Sequence, residues 1–146
     1  MSKPIASASF RLDNYRIVRS EVNLKFSEAD LQLVKPEHLS IELGAEGSKH
    51  LPDKQLLILR MNCGVSSEQK EVDIQVDVIA HFKYEQPKEQ EELCTYITQN
   101  APAIIFPYVR AYISTLTGLS GIPPIILPTL NLVDFGEELR RALKTN

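Results

Sequence analysis

Apolar and polar residues alternate along much of the first half of the chain. The most regular segment is Val72–Tyr84, where every second side chain is apolar and Ile79 is the one apolar member of the opposite set. The same period marks residues 18–26, 39–43 and 57–65. This pattern is typical of antiparallel strands with one buried and one hydrated face. We therefore predict a four-stranded antiparallel sheet, with Val18 on the same face as the other apolar residues of its segment.

The spacing of apolar residues changes to a helical period in the second half of the chain. A helix is predicted from Asn100, as its N-cap, to about Thr117. A proline-rich connection leads to a second amphipathic helix over residues 132–144, capped by Asn131. A sheet with one dry face needs a layer to cover it. The predicted fold class is thus α+β, a four-stranded antiparallel sheet with two helices packed on one face, forming a single domain over residues 1–146.

Composition and net charge limit which classes of protein this chain can belong to. The 146 residues are 43% hydrophobic and 24% charged, as in ordinary globular domains, and the net charge of −3 argues against nucleic acid as a partner. We find no apolar stretch long enough to span a bilayer and no signal-like apolar region in the first ten residues, so we expect no membrane insertion and a cytoplasmic location. Cys63 and Cys94, in no paired motif, are predicted to be buried thiols.

A search for catalytic patterns finds little. His38, His50 and His81 are scattered without metal-ligand spacing, and Asp73 and Asp77 fall on a predicted hydrated strand face. No nucleophile motif or phosphate loop is recognisable. We therefore predict a protein that is not an enzyme and uses no metal or cofactor, while an enzyme with an unrecognised pocket remains an alternative.

The connection between the helices is unusually apolar and stiff. It holds three prolines, three isoleucines and two leucines between Ile122 and Leu130. Exposed apolar surface of this kind often marks an interaction site, yet the same residues could pack onto their own core. Both interpretations stay open, and different residues can satisfy each. The candidate binding residues are Ile122, Pro123, Pro124, Ile125, Ile126 and Leu127, with Tyr108 and Tyr112 of the preceding helix.

Three segments appear in an order and at a spacing that resemble the SecB family of protein-export chaperones. They are Phe106-Pro107-Tyr108-Val109-Arg110, Gly121-Ile122-Pro123-Pro124 and Leu130-Asn131-Leu132. The resemblance implies a homotetramer built as a dimer of dimers, with no cofactor or nucleotide. It implies ATP-independent holding of unfolded preproteins as clients, in a groove walled by the connecting loop.

The chain also departs from the family pattern. Family members dock a SecA-type translocation motor through acidic residues on the outer sheet face and through an acidic, zinc-contacting tail. Glu21 and Asp77 fall at two of those acidic positions, and we expect them to be accessible; Lys25 stands at a third, and residues 140–146 are basic. Pro123 replaces a groove aromatic. A SecB-like chaperone of a toxin–antitoxin system and a structural or adaptor module that binds one folded partner therefore remain alternatives.

Overall fold

Five antiparallel strands form one sheet in the computed structural model, which describes residues 8–31 and 38–144. The strands are β1 (Phe10–Leu24), β2 (Leu39–Gly44), β3 (Lys49–Leu51), β4 (Leu56–Ser67) and β5 (Val72–Tyr84). They lie in the order β1-β5-β4-β2, and the short β3 extends the β2 edge by pairing with the first residues of β4. The four predicted strands are therefore confirmed, with one short addition.

The two central strands follow their sequence pattern closely. Every second residue of β4 from Leu57 to Val65 is buried, as is every second residue of β5 from Val72 to Tyr84. This buried face meets the helices. At one end it is closed by aromatic rings, with the Phe10 and Phe82 centroids 5.1 Å apart. Alternation alone predicted these strands correctly, because each of them pairs with a strand on both sides and is covered by helices on one face only.

Strand β1 differs from its prediction. It begins at Phe10, and two β-bulges interrupt its pairing with β5, between Leu12 and Asn14 and between Ile17 and Arg19. A bulge adds one residue and reverses which face the following side chains occupy. Val18 is therefore 48% exposed and lies on the face away from the helices, so its predicted placement is wrong.

The helices cover one face of the sheet, which confirms the α+β fold class. They are α1 (Gln90–Thr95), α2 (Ala101–Leu119) and α3 (Val133–Lys144), and a π-helical turn, Tyr96–Asn100, joins the first two. Helix α2 lies over β1 and β5, and α3 lies over β2 and β3. Among the described residues, no helix is long and apolar enough to cross a membrane.

Of the two predicted helix caps, one is confirmed and one is wrong. The Val133 amide donates a hydrogen bond to Asn131 Oδ1 at 3.0 Å, so Asn131 caps α3 as predicted. Asn100 has helical dihedral angles and makes no capping bond, because the chain enters α2 from the π-helical turn rather than from a loop.

Helix α3 packs unusually closely on the π-helical turn. A Cβ atom added at Gly136 would overlap the carbonyl oxygen of Thr98 and lie 2.9 Å from its carbonyl carbon. Only a residue without a side chain allows the two backbones to approach this far. This contact fixes the position of α3 relative to the end of α1.

Candidate functional site

The connection between α2 and α3 folds back onto the end of α2. The buried Thr117 hydroxyl donates to the Ile113 carbonyl at 2.8 Å and accepts a hydrogen bond from the Ile125 amide at 2.9 Å. Pro124 lies against Gly118, where an added Cβ would come within 3.2 Å of the proline ring. We call residues 120–132 the connecting loop. Its first half is thus held in place by the helix and stiffened by proline.

The side chains of the connecting loop divide between the core and the surface. Leu127 is 3% exposed and belongs to the core, whereas Ile126 is 77% exposed. The expectation that Leu127 offers its side chain to a groove is therefore wrong, because this residue fills the space beneath the loop. Among the other candidates, Ile122 and Ile125 are half-buried, and Pro123 and Pro124 are exposed.

The two tyrosines of α2 lie over β1. Tyr108 is about half exposed, and its ring centroid is 4.9 Å from that of Tyr15. The Tyr112 hydroxyl donates a hydrogen bond to Ser20 Oγ at 2.9 Å. The structure therefore does not place these tyrosines among the residues that line the clefts beside α3.

A shallow cleft runs between β2 and the first turns of α3, and we call it the loop-side cleft. It has a volume of about 250 Å³. Apolar side chains from the sheet, loop and helix line it, and carboxylates stand at its rim. The lining residues are Ile41, Leu43, Leu130, Asn131, Asp134, Phe135 and Glu138. Apart from Leu130, which ends the apolar connection singled out in the sequence, these residues were not predicted, although Asp134 and Glu138 lie four positions apart in the predicted helix and hence on one face.

A second and larger cleft, of about 520 Å³, lies on the other side of α3 and we call it the α1-side cleft. Its apolar walls are Leu93, Ile97 and Leu143. Two of its polar groups already have partners: His50 Nε2 lies 2.6 Å from the Tyr84 hydroxyl, and Arg140 pairs with Glu137 at 2.7 Å. Partial burial lowers the pKa of His50. The loop-side cleft adjoins both the edge strand β2 and the connecting loop, the segment that the sequence singled out.

The two cysteines have opposite environments. Cys63 is fully buried, and desolvation raises the pKa of its thiol to about 12. Cys94 is exposed at the α1-side cleft, so the prediction of two buried thiols is wrong for this residue. Cys94 lies on α1, a helix too short and too exposed to bury one face completely.

We expect one thiol to react rapidly in the native protein at pH 8, because only Cys94 is accessible and a thiol with a pKa of about 12 is almost wholly protonated at that pH. Reaction with a chromogenic disulfide should release one equivalent quickly and a second only in denaturant. The Cys94→Ser variant serves as the control and should show no rapid release. Two fast thiols in the native protein would contradict the burial of Cys63.

A comparison with known protein families matches most of the chain. A family model described as preprotein translocase subunit SecB matches residues 34–140. The chain belongs to the SecB family. This confirms the resemblance seen in the sequence.

Individual relatives of this SecB-family chain are more distant. An uncharacterized protein of Methanocaldococcus jannaschii is 27% identical over 110 residues, which are 75% of this chain and 71% of the relative. The protein-export protein SecB of Anaplasma phagocytophilum is 36% identical over 58 residues, 40% of this chain and 35% of that protein. The chain thus matches only about a third of the length of that named export protein.

A solved structure shows the same fold. It is the SecB-like chaperone of Mycobacterium tuberculosis in complex with a ChAD peptide from the HigA1 antitoxin. The TM-score is 0.61 at 23% sequence identity, and the alignment covers 84% of this chain and 91% of the other.

The two residues that the SecB resemblance assigns to motor docking lie on the outer face of the sheet, the side away from the helices. Glu21 is exposed and pairs with Arg19 at 3.1 Å, which raises the pKa of Arg19. Asp77 is only 5% exposed and accepts a hydrogen bond from Asn62 Nδ2 at 2.8 Å. The expectation that both are accessible is therefore wrong for Asp77, which lies on a central strand between Arg19 of β1 and Asn62 of β4.

Proposed function

We propose that residues 1–146 act as one chaperone domain that holds extended segments of unfolded proteins without ATP. The observation that carries this proposal is the loop-side cleft, in which apolar side chains and carboxylates lie together beside an edge strand of the sheet. Burial of apolar surface is non-directional, and backbone pairing to a strand edge does not depend on side chains. Both properties allow one cleft to accept many sequences.

The charge at the cleft rim selects among clients. Asp134 and Glu138 stand beside the apolar side chains of this cleft. Carboxylates in this position attract segments in which apolar residues are flanked by lysine or arginine, and they repel acidic segments. The proposed clients are therefore unfolded, basic-apolar stretches, with exposed Ile126 of the connecting loop as an additional apolar contact.

The proposed destination of the clients rests on the relatives. We propose that they are preproteins held for export, in a cytoplasmic homotetramer; the family description and the named export relatives support this. An antitoxin is the second candidate client, because the SecB-like chaperone of the same fold carries an antitoxin peptide. Docking to a SecA-type motor through Glu21 and Asp77 stays a prediction of the resemblance, for which motor binding by a Glu21→Lys variant is the direct test.

We expect the protein to suppress the aggregation of several unrelated, denatured proteins, and we expect Ile126→Ser combined with Leu130→Ser to reduce this suppression severalfold. The two changes remove apolar contact area worth about 25 cal/mol per Å² at the proposed site. Light scattering by the diluted clients measures suppression, and static scattering by the chaperone alone reports its oligomeric state.

Val18→Ser is the matched control, because it removes an exposed apolar side chain from the opposite face of the sheet. A second variant, Asp134→Lys with Glu138→Lys, keeps the apolar side chains of the cleft and should weaken the holding of lysine-rich clients. If the parent protein protects no client, the holding function is wrong. If the loop variant protects as well as Val18→Ser, clients bind elsewhere.

A further inference from the structure

The register of three neighbouring strands places basic residues together at one end of the outer sheet face. Arg16 of β1 is opposite Ile79 of β5, which is opposite Arg60 of β4, so these three side chains form a row across the sheet. The next row contains Asn14 and His81, and the row beyond it contains Arg11 and Lys83. We call this end of the outer face the basic patch.

Most of the positive charge in the basic patch is not neutralised by neighbours. The Arg16 guanidinium donates hydrogen bonds to two neutral acceptors, Asn14 Oδ1 at 2.6 Å and the Tyr15 carbonyl at 2.8 Å. Neither Arg11 nor Arg16 forms an ion pair with any carboxylate in the described part of the chain. Lys83 is paired with Asp13 at 3.6 Å.

The positive charge of Arg60 is partly balanced by a nearby carboxylate. Glu46 lines the adjoining depression beside it, although the two side chains form no ion pair. The net positive charge therefore rests chiefly on Arg11 and Arg16, which are both exposed.

An apolar depression of about 240 Å³ lies within the basic patch. Val18 and Ile79 supply its apolar surface, and Arg16 and His81 stand at its sides. Val18 reaches this face only because of the bulge after Ile17. An exposed aliphatic side chain beside a guanidinium group combines the two features of a peptide-docking surface, an apolar anchor point and a charge that orients the ligand.

We propose that the basic patch is a docking surface for an acidic segment of a partner protein, in which glutamate or aspartate residues flank an aliphatic side chain. The aliphatic side chain packs on Val18 and Ile79. Carboxylates on either side pair with guanidinium groups, which bind carboxylates through two parallel hydrogen bonds. Arg16 lies on β1 and Arg60 on β4, with β5 between them. The two outer strands are therefore two strand spacings, or about 10 Å, apart, which leaves room for the aliphatic group between the charges.

The remainder of the outer face favours a short acidic peptide over a nucleic acid. Beyond the Arg16 row, the next rows carry Glu21, which is already paired with Arg19, and Asp73. A phosphate backbone that continued along the sheet would meet these carboxylates, and duplex binding requires an extended array of cations. The basic patch is also on the opposite side of the sheet from the loop-side cleft, so it goes beyond the proposed client site.

A fluorescein-labelled peptide with three Glu-Leu-Glu repeats tests the proposal by anisotropy at low salt. We expect saturable binding that weakens as salt is raised. Arg11→Glu combined with Arg16→Glu should raise the dissociation constant about tenfold, because two attractive charges become repulsive. Val18→Ser should raise it about threefold through the lost apolar contact.

Three controls make the result decisive. The pair Lys88→Glu and Arg141→Glu introduces the same change in net charge at exposed positions away from the sheet and should bind like the parent. Equal weakening by this pair, equal binding of a Gln-Leu-Gln peptide, or tighter binding of a 12-base-pair DNA duplex would each overturn the proposal. Aggregation suppression by the Arg11/Arg16 variant should be unchanged, so failure of the docking surface is distinguishable from failure of the holding function.

Discussion

Replacement of Gly136 by alanine is expected to destabilise the fold by at least about 3 kcal/mol, which is the upper range for inserting atoms into a packed site. Intrinsic helix propensity would predict the opposite, since alanine is favoured over glycine by about 1 kcal/mol in a helix interior. The contact between Gly136 and Thr98 decides whether the substitution stabilises or destabilises the fold. The new Cβ would overlap the Thr98 carbonyl, which is backbone and cannot move aside as a flexible side chain can.

Urea unfolding of the parent and Gly136→Ala measures this effect. Gly44→Ala is the matched control, because a Cβ at that position would lie 3.7 Å or more from its neighbours, an ordinary van der Waals contact. We expect Gly44→Ala to remain within about 1 kcal/mol of the parent. Equal unfolding free energies for both variants would show that α3 does not pack on the π-helical turn as described. Because α3 forms one wall of the loop-side cleft, Gly136→Ala should also lose client holding.

Replacement of Leu127 by alanine is expected to lower the free energy of unfolding by about 2–5 kcal/mol, the range for removing a large aliphatic side chain from a core. Leu127 is 3% exposed, and the Thr117–Ile125 hydrogen bond holds the loop above it, so the surrounding structure has little freedom to fill the cavity.

The neighbouring residue supplies the comparison. Ile126→Ala removes a similar side chain that is 77% exposed, and it should change the unfolding free energy by no more than about 0.5 kcal/mol. Client binding, measured under conditions in which both variants are folded, should show the reverse order. Ile126→Ala should weaken client binding more than Leu127→Ala. If both changes cost the same free energy of unfolding, the connecting loop does not bury Leu127 selectively.

The connecting loop shows what a sequence pattern leaves open. Its composition indicated both a binding wall and a core-packing segment, and the structure assigns Ile126 to the surface and Leu127 to the core. The connection is irregular and has neither the two-residue period of a strand nor the 3.6-residue period of an α-helix, so no spacing reveals which side chains face inward. The hydrogen bond from the Ile125 amide to Thr117 and the contact of Pro124 with Gly118 set how the loop lies on α2, and hence which of these side chains faces inward.

The candidate site was only partly predictable for the same reason. The loop was selected because its apolar character is local and visible in the chain. The loop-side cleft combines Ile41 and Leu43 with Leu130 and Phe135, which come from segments about 90 residues apart. No local period links them, because their proximity depends on α3 crossing the edge of the sheet.

The sequence by itself determined the fold class, the faces of β4 and β5, the two covering helices and the family. These features depend on regular local periods or on the order of short motifs. The tertiary structure decided the faces of β1, the burial of Asp77, the exposure of Cys94 and the basic patch. Two bulges reverse the side-chain alternation of β1, and the pairing of β1, β5 and β4 sets which charges are neighbours; both depend on contacts between distant segments, which a one-dimensional pattern does not contain.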